Sequence, residues 1–153
     1  MKKILWCVLV LVLTGCAGPR YTGSSIESAE KLEVVIINDV DTKAGFQDAI
    51  AAWLDKNLYQ YIIVPEGSKY EYEKINLEYS GVWRWDLAIF LSEAKISAYN
   101  QGQKIGHVEY NAPNNLNGNK FGNAEERISY MMDILFKKTS VDDANKLLIA
   151  EPQ

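Results

Sequence analysis

The chain has 153 residues, a formal net charge of −4 and 48% hydrophobic residues, a size and composition that suit one domain with a modest core. Apart from Lys2 and Lys3 the sequence has no basic cluster, so nucleic acid and anionic lipid headgroups are not predicted as partners.

The N-terminus has the layout of a secreted precursor. Lys2 and Lys3 give a positive start, and residues 4–13 form an apolar run that is too short for a good membrane span. The run closes with the letters L-T-G-C at residues 13–16, which resemble the bacterial lipobox, a Leu followed by two small or polar residues and a Cys. Position and context agree with the letters, because the motif directly follows a charged start and an apolar core.

This resemblance implies a lipoprotein. It predicts a signal peptide at residues 1–15, cleavage by a lipoprotein signal peptidase between Gly15 and Cys16, and acylation of Cys16, whose two or three lipid chains would hold the protein on a membrane. The alternative is a simple membrane anchor with an incidental Cys, which the short apolar run and the loop-like composition of residues 17–28 disfavour. Ala17 after the Cys implies, in a Gram-negative cell, the periplasmic face of the outer membrane.

Cysteine and histidine content limits the chemistry. Cys7 would leave with the signal peptide and Cys16 would be alkylated, so the mature domain is predicted to have neither a disulfide nor a thiolate. His107 is the only histidine, which argues against a zinc site or a Ser-His-Asp triad. We predict no catalytic residue, no metal and no cofactor.

The first part of the mature chain is predicted to be a tether, a strand and a helix. Residues 16–31 are the lipidated N-terminus and a Ser/Gly/Glu-bearing tether, and residues 32–37 are a buried β-branched strand. The helix is capped by Asp41 or Thr42 and ends near Asn57. Its apolar residues recur at helical spacing: Phe46, Ala49, Ile50, Trp53 and Leu54.

The middle of the chain is predicted to be β-structure. Residues 59–64 form a strand that stops at a turn at 65–67, and apolar residues then alternate from 75 to 91. The apolar phase shifts after Ser92, which predicts a bulge or bend near residues 91–93. The pattern does not place the turn inside this segment.

The last part is predicted to be a hairpin strand, a loop and a helix. A turn at 100–103 leads into a strand at 104–110, and residues 111–122 form an Asn/Gly-rich loop. Asn123, followed three residues later by a Glu, is a plausible N-cap for a second amphipathic helix, whose apolar residues are Ile128, Met131, Met132, Leu135 and Phe136.

These elements define one α+β domain at residues 32–138, in the order β-α-β-β-β-β-α. We expect a small mixed, mostly antiparallel sheet with two helices on one face. Residues 139–153 form a C-terminal tail or a short helix at 141–149.

Three segments resemble a group of small, uncharacterised proteobacterial lipoproteins: W-R-W-D-L-A at 83–88, A-K-I-S-A-Y at 94–99 and N-K-F-G-N-A-E-E at 119–126. The resemblance runs from about residue 46 to residue 136. It implies the lipoprotein address and no particular reaction. The chain departs from that group at residues 70–73, whose letters are Y-E-Y-E, so any bridge involving that region is absent.

Trp83, Arg84, Trp85 and Asp86 are the candidate binding surface, because two tryptophans with an arginine can form an aromatic surface for sugar rings or a partner's apolar groups. The pattern favours a different interpretation, core packing, since Trp83 and Trp85 share the parity of the apolar residues around them. Arg84 and Asp86 would then project from the opposite face into solvent.

Two classes of function remain. We expect a non-enzymatic envelope module that binds a protein or glycan partner, because no converging titratable or nucleophilic groups are recognisable. The acidic pairs at 125–126 and 142–143 are assigned to caps and solvated faces. The alternative is a hydrolase of cell-wall or lipid material, which a deep pocket with two carboxylates, or His107 beside a Ser, would favour.

Overall fold

The strands and helices below come from a computed structural model of the protein that describes residues 20–27, 32–112 and 121–150. The strands are β1 (Tyr21–Ser24), β2 (Val34–Ile37), β3 (Tyr61–Val64), β4 (Ile75–Asp86), β5 (Ala88–Asn100) and β6 (Gln103–Asn111), and the helices are α1 (Ala44–Lys56), α2 (Ala124–Leu135) and α3 (Val141–Ala150). The predicted signal peptide, Cys16 and most of the loop predicted at 111–122 lie outside the described residues. Within the described ranges, no helix is both long and apolar enough to cross a membrane.

The six strands form one mixed sheet in the order β1-β6-β5-β4-β2-β3. Strands β1, β6, β5 and β4 pair antiparallel, whereas β2 runs parallel to both β4 and β3. Helix α1 connects β2 to β3, because parallel neighbours need a crossover connection. The predicted α+β class, with a mixed and mostly antiparallel sheet, is confirmed.

The core lies between one face of this sheet and the pair α1 and α2. The five apolar residues predicted for α1 are its buried residues, and all four residues of β2 are buried. Phe46 of α1 stacks on Tyr79 of β4, with ring centroids 5.1 Å apart. Trp53 Nε1 donates to Asp133 Oδ1 at 2.9 Å, so a hydrogen bond as well as apolar contact joins the two helices.

The two predicted helix caps have different outcomes. The N-cap of α2 is Asn123, whose side chain accepts from the backbone N–H of Glu125. The cap predicted for α1 is wrong, since its N-cap is Lys43 and makes no side-chain capping bond. Thr42 instead donates to Asp39 Oδ2 at 2.7 Å and accepts from the backbone N–H of Gly81 at 3.0 Å, which ties the start of α1 to β4.

The tether prediction is wrong for residues 20–27, which belong to the fold. Strand β1 pairs with β6, with Tyr21 opposite Tyr110. Asn145 of α3 accepts from the backbone N–H groups of Arg20 and Tyr21, both at 2.9 Å, and donates to the Tyr21 carbonyl at 3.0 Å. A polar segment can join a sheet in this way because backbone groups make the ladder. Of the two alternatives predicted for residues 139–153, the structure has the short helix, α3, and the domain is wider than 32–138.

The predicted bulge between β4 and β5 is confirmed. Val82 lies opposite Glu93 and Trp83 opposite Leu91, so Ser92 is the extra residue, and its hydroxyl donates to the Val82 carbonyl. The turn that the pattern could not place is centred on Leu87, which has a φ of 63°.

A glycine at the bulge gives a test of the packing. A Cβ at Gly81 would lie 2.7 Å from the Trp83 ring and 2.8 Å from the Phe46 ring. We expect Gly81→Ala to lower the free energy of unfolding by about 1–3 kcal/mol, because the rings would have to move apart. Urea unfolding followed by circular dichroism measures it.

The matched control is Gly45→Ala in α1, where an added Cβ meets nothing within 4 Å. This control is expected to raise the free energy of unfolding by about 0.5–1 kcal/mol through helix propensity. Equal effects of the two substitutions would contradict the packing described at Gly81.

Candidate functional site

The sheet face that points away from α1 and α2 is largely polar on β1, β6, β5 and β4, and we call it the helix-free face. This face exists because successive side chains of a strand point to opposite sides, so that every second side chain of the long strands points away from the core. Cross-strand partners share this face, Lys95 with Glu109 and Ser97 with His107. The face therefore carries hydroxyls and both signs of charge.

A cleft of about 500 Å³ lies on this face, where β2 and β3 end, and we call it the polar cleft. Residues 38–39 after β2 and the turn at 66–67 after β3 bound one side. The strands supply its floor and remaining walls: Ile37, Glu78, Tyr79, Ser80, Lys95, Ser97, Tyr99 and Lys104. Its volume is within the range of small-ligand sites, about 300–1,000 Å³.

Tyr99 lines the cleft and packs against a second tyrosine, Tyr70. Tyr70, in the segment between β3 and β4, lies with its ring centroid 5.0 Å from that of Tyr99, and its hydroxyl donates to Glu78 Oε1 at 2.6 Å. Burial, and then the hydrogen bond to Glu78, raise the pKa of Tyr70 well above its usual range. The phenol therefore stays protonated and keeps donating at neutral pH. Asn76 fixes the same segment by bonding the backbone N–H and carbonyl of Glu71, each at 2.8 Å.

An ion pair holds the other side of the cleft. Lys95 Nζ lies 2.8 Å from Glu109 Oε1, and both side chains are about half-exposed. The hydrogen bond from Lys95 lowers the pKa of Glu109, and the same bond raises the pKa of Lys95. Both groups are thus charged at neutral pH.

Outside the cleft, the structure brings together a pair that the sequence analysis missed. Ser24 Oγ lies 3.2 Å from His107 Nδ1 on the helix-free face, across the β1–β6 ladder. Ser24 is exposed and His107 is half-buried. The sequence analysis missed this pair because it assigned residues 16–31 to the lipidated N-terminus and tether. A serine beside a histidine is the arrangement that would favour a hydrolase.

The candidate surface at 83–86 is divided by the fold. Trp83 is half-buried and meets the edge of the Phe46 ring at 6.2 Å, with Lys43 Nζ 5.2 Å from its centroid. Trp85 is 74% exposed. The prediction of core packing is therefore confirmed for Trp83 and wrong for Trp85.

The physical reason is a difference in length. Helix α1 has 13 residues and spans about 20 Å, whereas β4 has 12 residues and spans about 40 Å. Trp85 points to the same side of β4 as the core residues. The start of α1 lies at Trp83, however, and the helix does not extend to Trp85. Arg84 and Asp86 are exposed as predicted, and Arg84 pairs with Glu93 at 2.7 Å.

Of the acidic pairs, the one at 142–143 caps α3. Ser140 Oγ donates to Asp143 Oδ2 at 2.7 Å and accepts from the Asp143 backbone N–H at 3.1 Å. Glu125 and Glu126 lie in the first turn of α2, where negative charge complements the helix dipole. Within the described ranges no three His, Cys, Asp or Glu side chains are grouped closely enough to hold a metal ion.

Comparison with known proteins does not assign the chain to a family. A scan against protein-family models gives no match, and a search of curated proteins gives none either. The functional interpretation therefore depends on the sequence motifs and on the surfaces described above.

Proposed function

We propose that the protein is an acylated lipoprotein at the periplasmic face of the outer membrane, and that its domain binds an envelope glycan in the polar cleft without catalysing a reaction. The lipobox-like motif at residues 13–16 supports the address, together with the resemblance to small proteobacterial lipoproteins. The observation that carries the binding role is the polar cleft on the helix-free face.

The lining of the cleft favours an uncharged, hydroxyl-rich ligand. Three carboxylates and two ammonium groups line it: Asp39, Glu66, Glu78, Lys95 and Lys104. This near balance does not favour a strongly charged ligand, whereas acceptors and donors side by side suit the hydroxyls and amides of a glycan. The half-buried ring of Tyr99 adds an aromatic surface on which a sugar ring can stack.

Binding without catalysis is supported by how the charged groups are paired. Glu78 accepts the Tyr70 hydroxyl and Lys95 pairs with Glu109, so both are held in place by neighbours. A general acid or base must instead reach the proton that it transfers. Groups fixed in this way orient a ligand.

The address is tested by Cys16→Ala. The substitution removes the thiol that would be acylated, so the precursor is expected to stay uncleaved and to lack a diacylglyceryl mass. Mass spectrometry of the N-terminal peptide and fractionation of the envelope measure both. A Cys7→Ala precursor is the control and should be processed normally; an unmodified Cys16 in the wild type would contradict the address.

The binding role is tested by sedimentation with purified peptidoglycan sacculi. The cleft variant Glu78→Ala/Lys104→Ala removes an acceptor and a donor, and it should weaken binding by about 100-fold or more, since each of the two bonds to a charged group contributes about 1.5–3 kcal/mol. The matched variant Asp142→Ala/Lys146→Ala removes one carboxylate and one ammonium group from the exposed side of α3 and should bind as the wild type does. Equal loss in both variants, or no binding by the wild type, would reject the glycan.

The Ser24–His107 contact favours a second candidate, a hydrolase of envelope esters. A serine hydroxyl beside an imidazole is the minimal arrangement for a nucleophile with its base. Against it, a third group that orients His107 is not among its described contacts, and the pair lies on an open sheet surface. Cross-strand polar pairs also stabilise a sheet without any reaction.

Ser24→Ala decides between these two interpretations. A hydrolase would release nitrophenol from nitrophenyl butyrate, and the substitution would lower kcat by about 10³-fold or more. We expect the wild type to show no turnover above Ser24→Ala or above buffer alone. Thr22→Ala, which alters the next exposed residue of β1 on the same face, is the control and should behave as the wild type does. Turnover that disappears only in Ser24→Ala would replace the binding role with a hydrolytic one.

A further inference from the structure

The end of the β4–β5 hairpin exposes three large apolar side chains, and we call it the hairpin tip. Trp85 and Ile89 face each other across the two strands, and Leu87 forms the turn between them. They are 74%, 62% and 85% exposed, respectively. An exposed cluster of this kind marks an interaction surface.

The chain from the predicted lipid anchor enters the sheet on the side of the hairpin tip. Tyr21, the first residue of β1, pairs with Tyr110, which in turn pairs with Ala94 of β5. The Asn111 N–H donates to the Arg20 carbonyl at 2.9 Å and extends this ladder by one residue. From Ala94, strand β5 runs back to the tip, so the residues before Tyr21 and the tip leave the sheet at the same end.

The lengths of these two segments match. Cys16 is five residues before Tyr21 and can lie at most about 18 Å from it. The tip residues Trp85 and Leu87 are four and six residues from Gly81, which lies opposite Ala94, so the tip extends from about 13 to about 20 Å beyond the level of Tyr21. A fully extended linker therefore places Cys16 level with the tip, and a shorter linker leaves the tip deeper than Cys16.

We propose that the hairpin tip inserts into the interfacial layer of the same bilayer that holds the Cys16 lipid. This rests on the proposed function in one respect, the acylation of Cys16. Tryptophan prefers the boundary between headgroups and acyl chains, and leucine and isoleucine beside it favour burial on the acyl-chain side of that boundary. The charged residues beside them are Arg84, which is paired with Glu93, and the acidic Asp86, which projects from the opposite side of β4 to Trp85. The tip therefore offers no cation that would need anionic lipid.

The test places the acylated protein in phosphatidylcholine vesicles whose acyl chains are brominated, because bromine quenches tryptophan that lies in the bilayer. Trp85 emission is obtained by subtracting the spectrum of Trp85→Phe. We expect this emission to be blue-shifted, quenched by the brominated chains and protected from aqueous iodide. Leu87→Ser/Ile89→Ser should reduce the quenching at least about twofold.

The control is Leu58→Ser. Leu58 is 92% exposed and lies at the end of the sheet away from the tip. It comes just before β3, and the first residue of β3, Tyr61, is level with the first residue of β4. This substitution should leave the quenching of Trp85 unchanged.

Three results would overturn the proposal. Trp85 accessible to iodide in an acylated, vesicle-bound protein would reject docking while leaving the proposed function intact. Protection of Trp85 in native membranes but not in vesicles would assign the tip to a protein partner. Mass spectrometry that finds no lipid on Cys16 would reject docking together with the address, so the two failures are distinguishable.

Discussion

The difference in length between the central hairpin and the helices that cover it determines most of the surface of this domain. Strands β4 and β5 have 12 and 13 residues, about 40 Å of β-structure, whereas α1 and α2 cover about 20 Å each. Over the covered part, the apolar side of the hairpin is core, from Leu77 and Tyr79 to Ile96 and Ala98. Beyond it, the same side carries Trp85 and Ile89, which are exposed. One sequence pattern therefore produces both the core and the hairpin tip.

The position of β1 at one edge of the sheet determines how the hairpin tip and the polar cleft are oriented relative to the chain from Cys16. Asn145 bonds three backbone groups at the start of β1, so the point where the chain from Cys16 would arrive is held against the fold. The hairpin tip projects from that end. The polar cleft lies on the helix-free face and extends from Ser80 toward Lys104, away from the tip. A domain docked through the tip would therefore present the cleft to the periplasm, where an envelope glycan is within reach.

Much of the fold could be predicted because local patterns were strong. The apolar residues of α1 recur at helical spacing, and the phase shift after Ser92 marks an extra residue that only a bulge can accommodate. Strand β1 could not be predicted, because Tyr21–Ser24 contains one large apolar residue and joins the sheet through backbone bonds. The Ser24–His107 contact was lost with it, since the two residues are 83 positions apart.

The sequence alone determined most of the secondary structure from β2 onward, the parity of side chains along the strands and the α+β class, because each depends on a few neighbouring residues. It also supplied the lipobox-like motif on which the proposed address depends. Only the tertiary structure decided which apolar residues are buried. Trp83 and Trp85 have the same parity, but the covering helix reaches the first and ends before the second. Burial depends on what lies opposite a residue in space, and the local alternation that predicts a strand carries no information about where a distant helix stops.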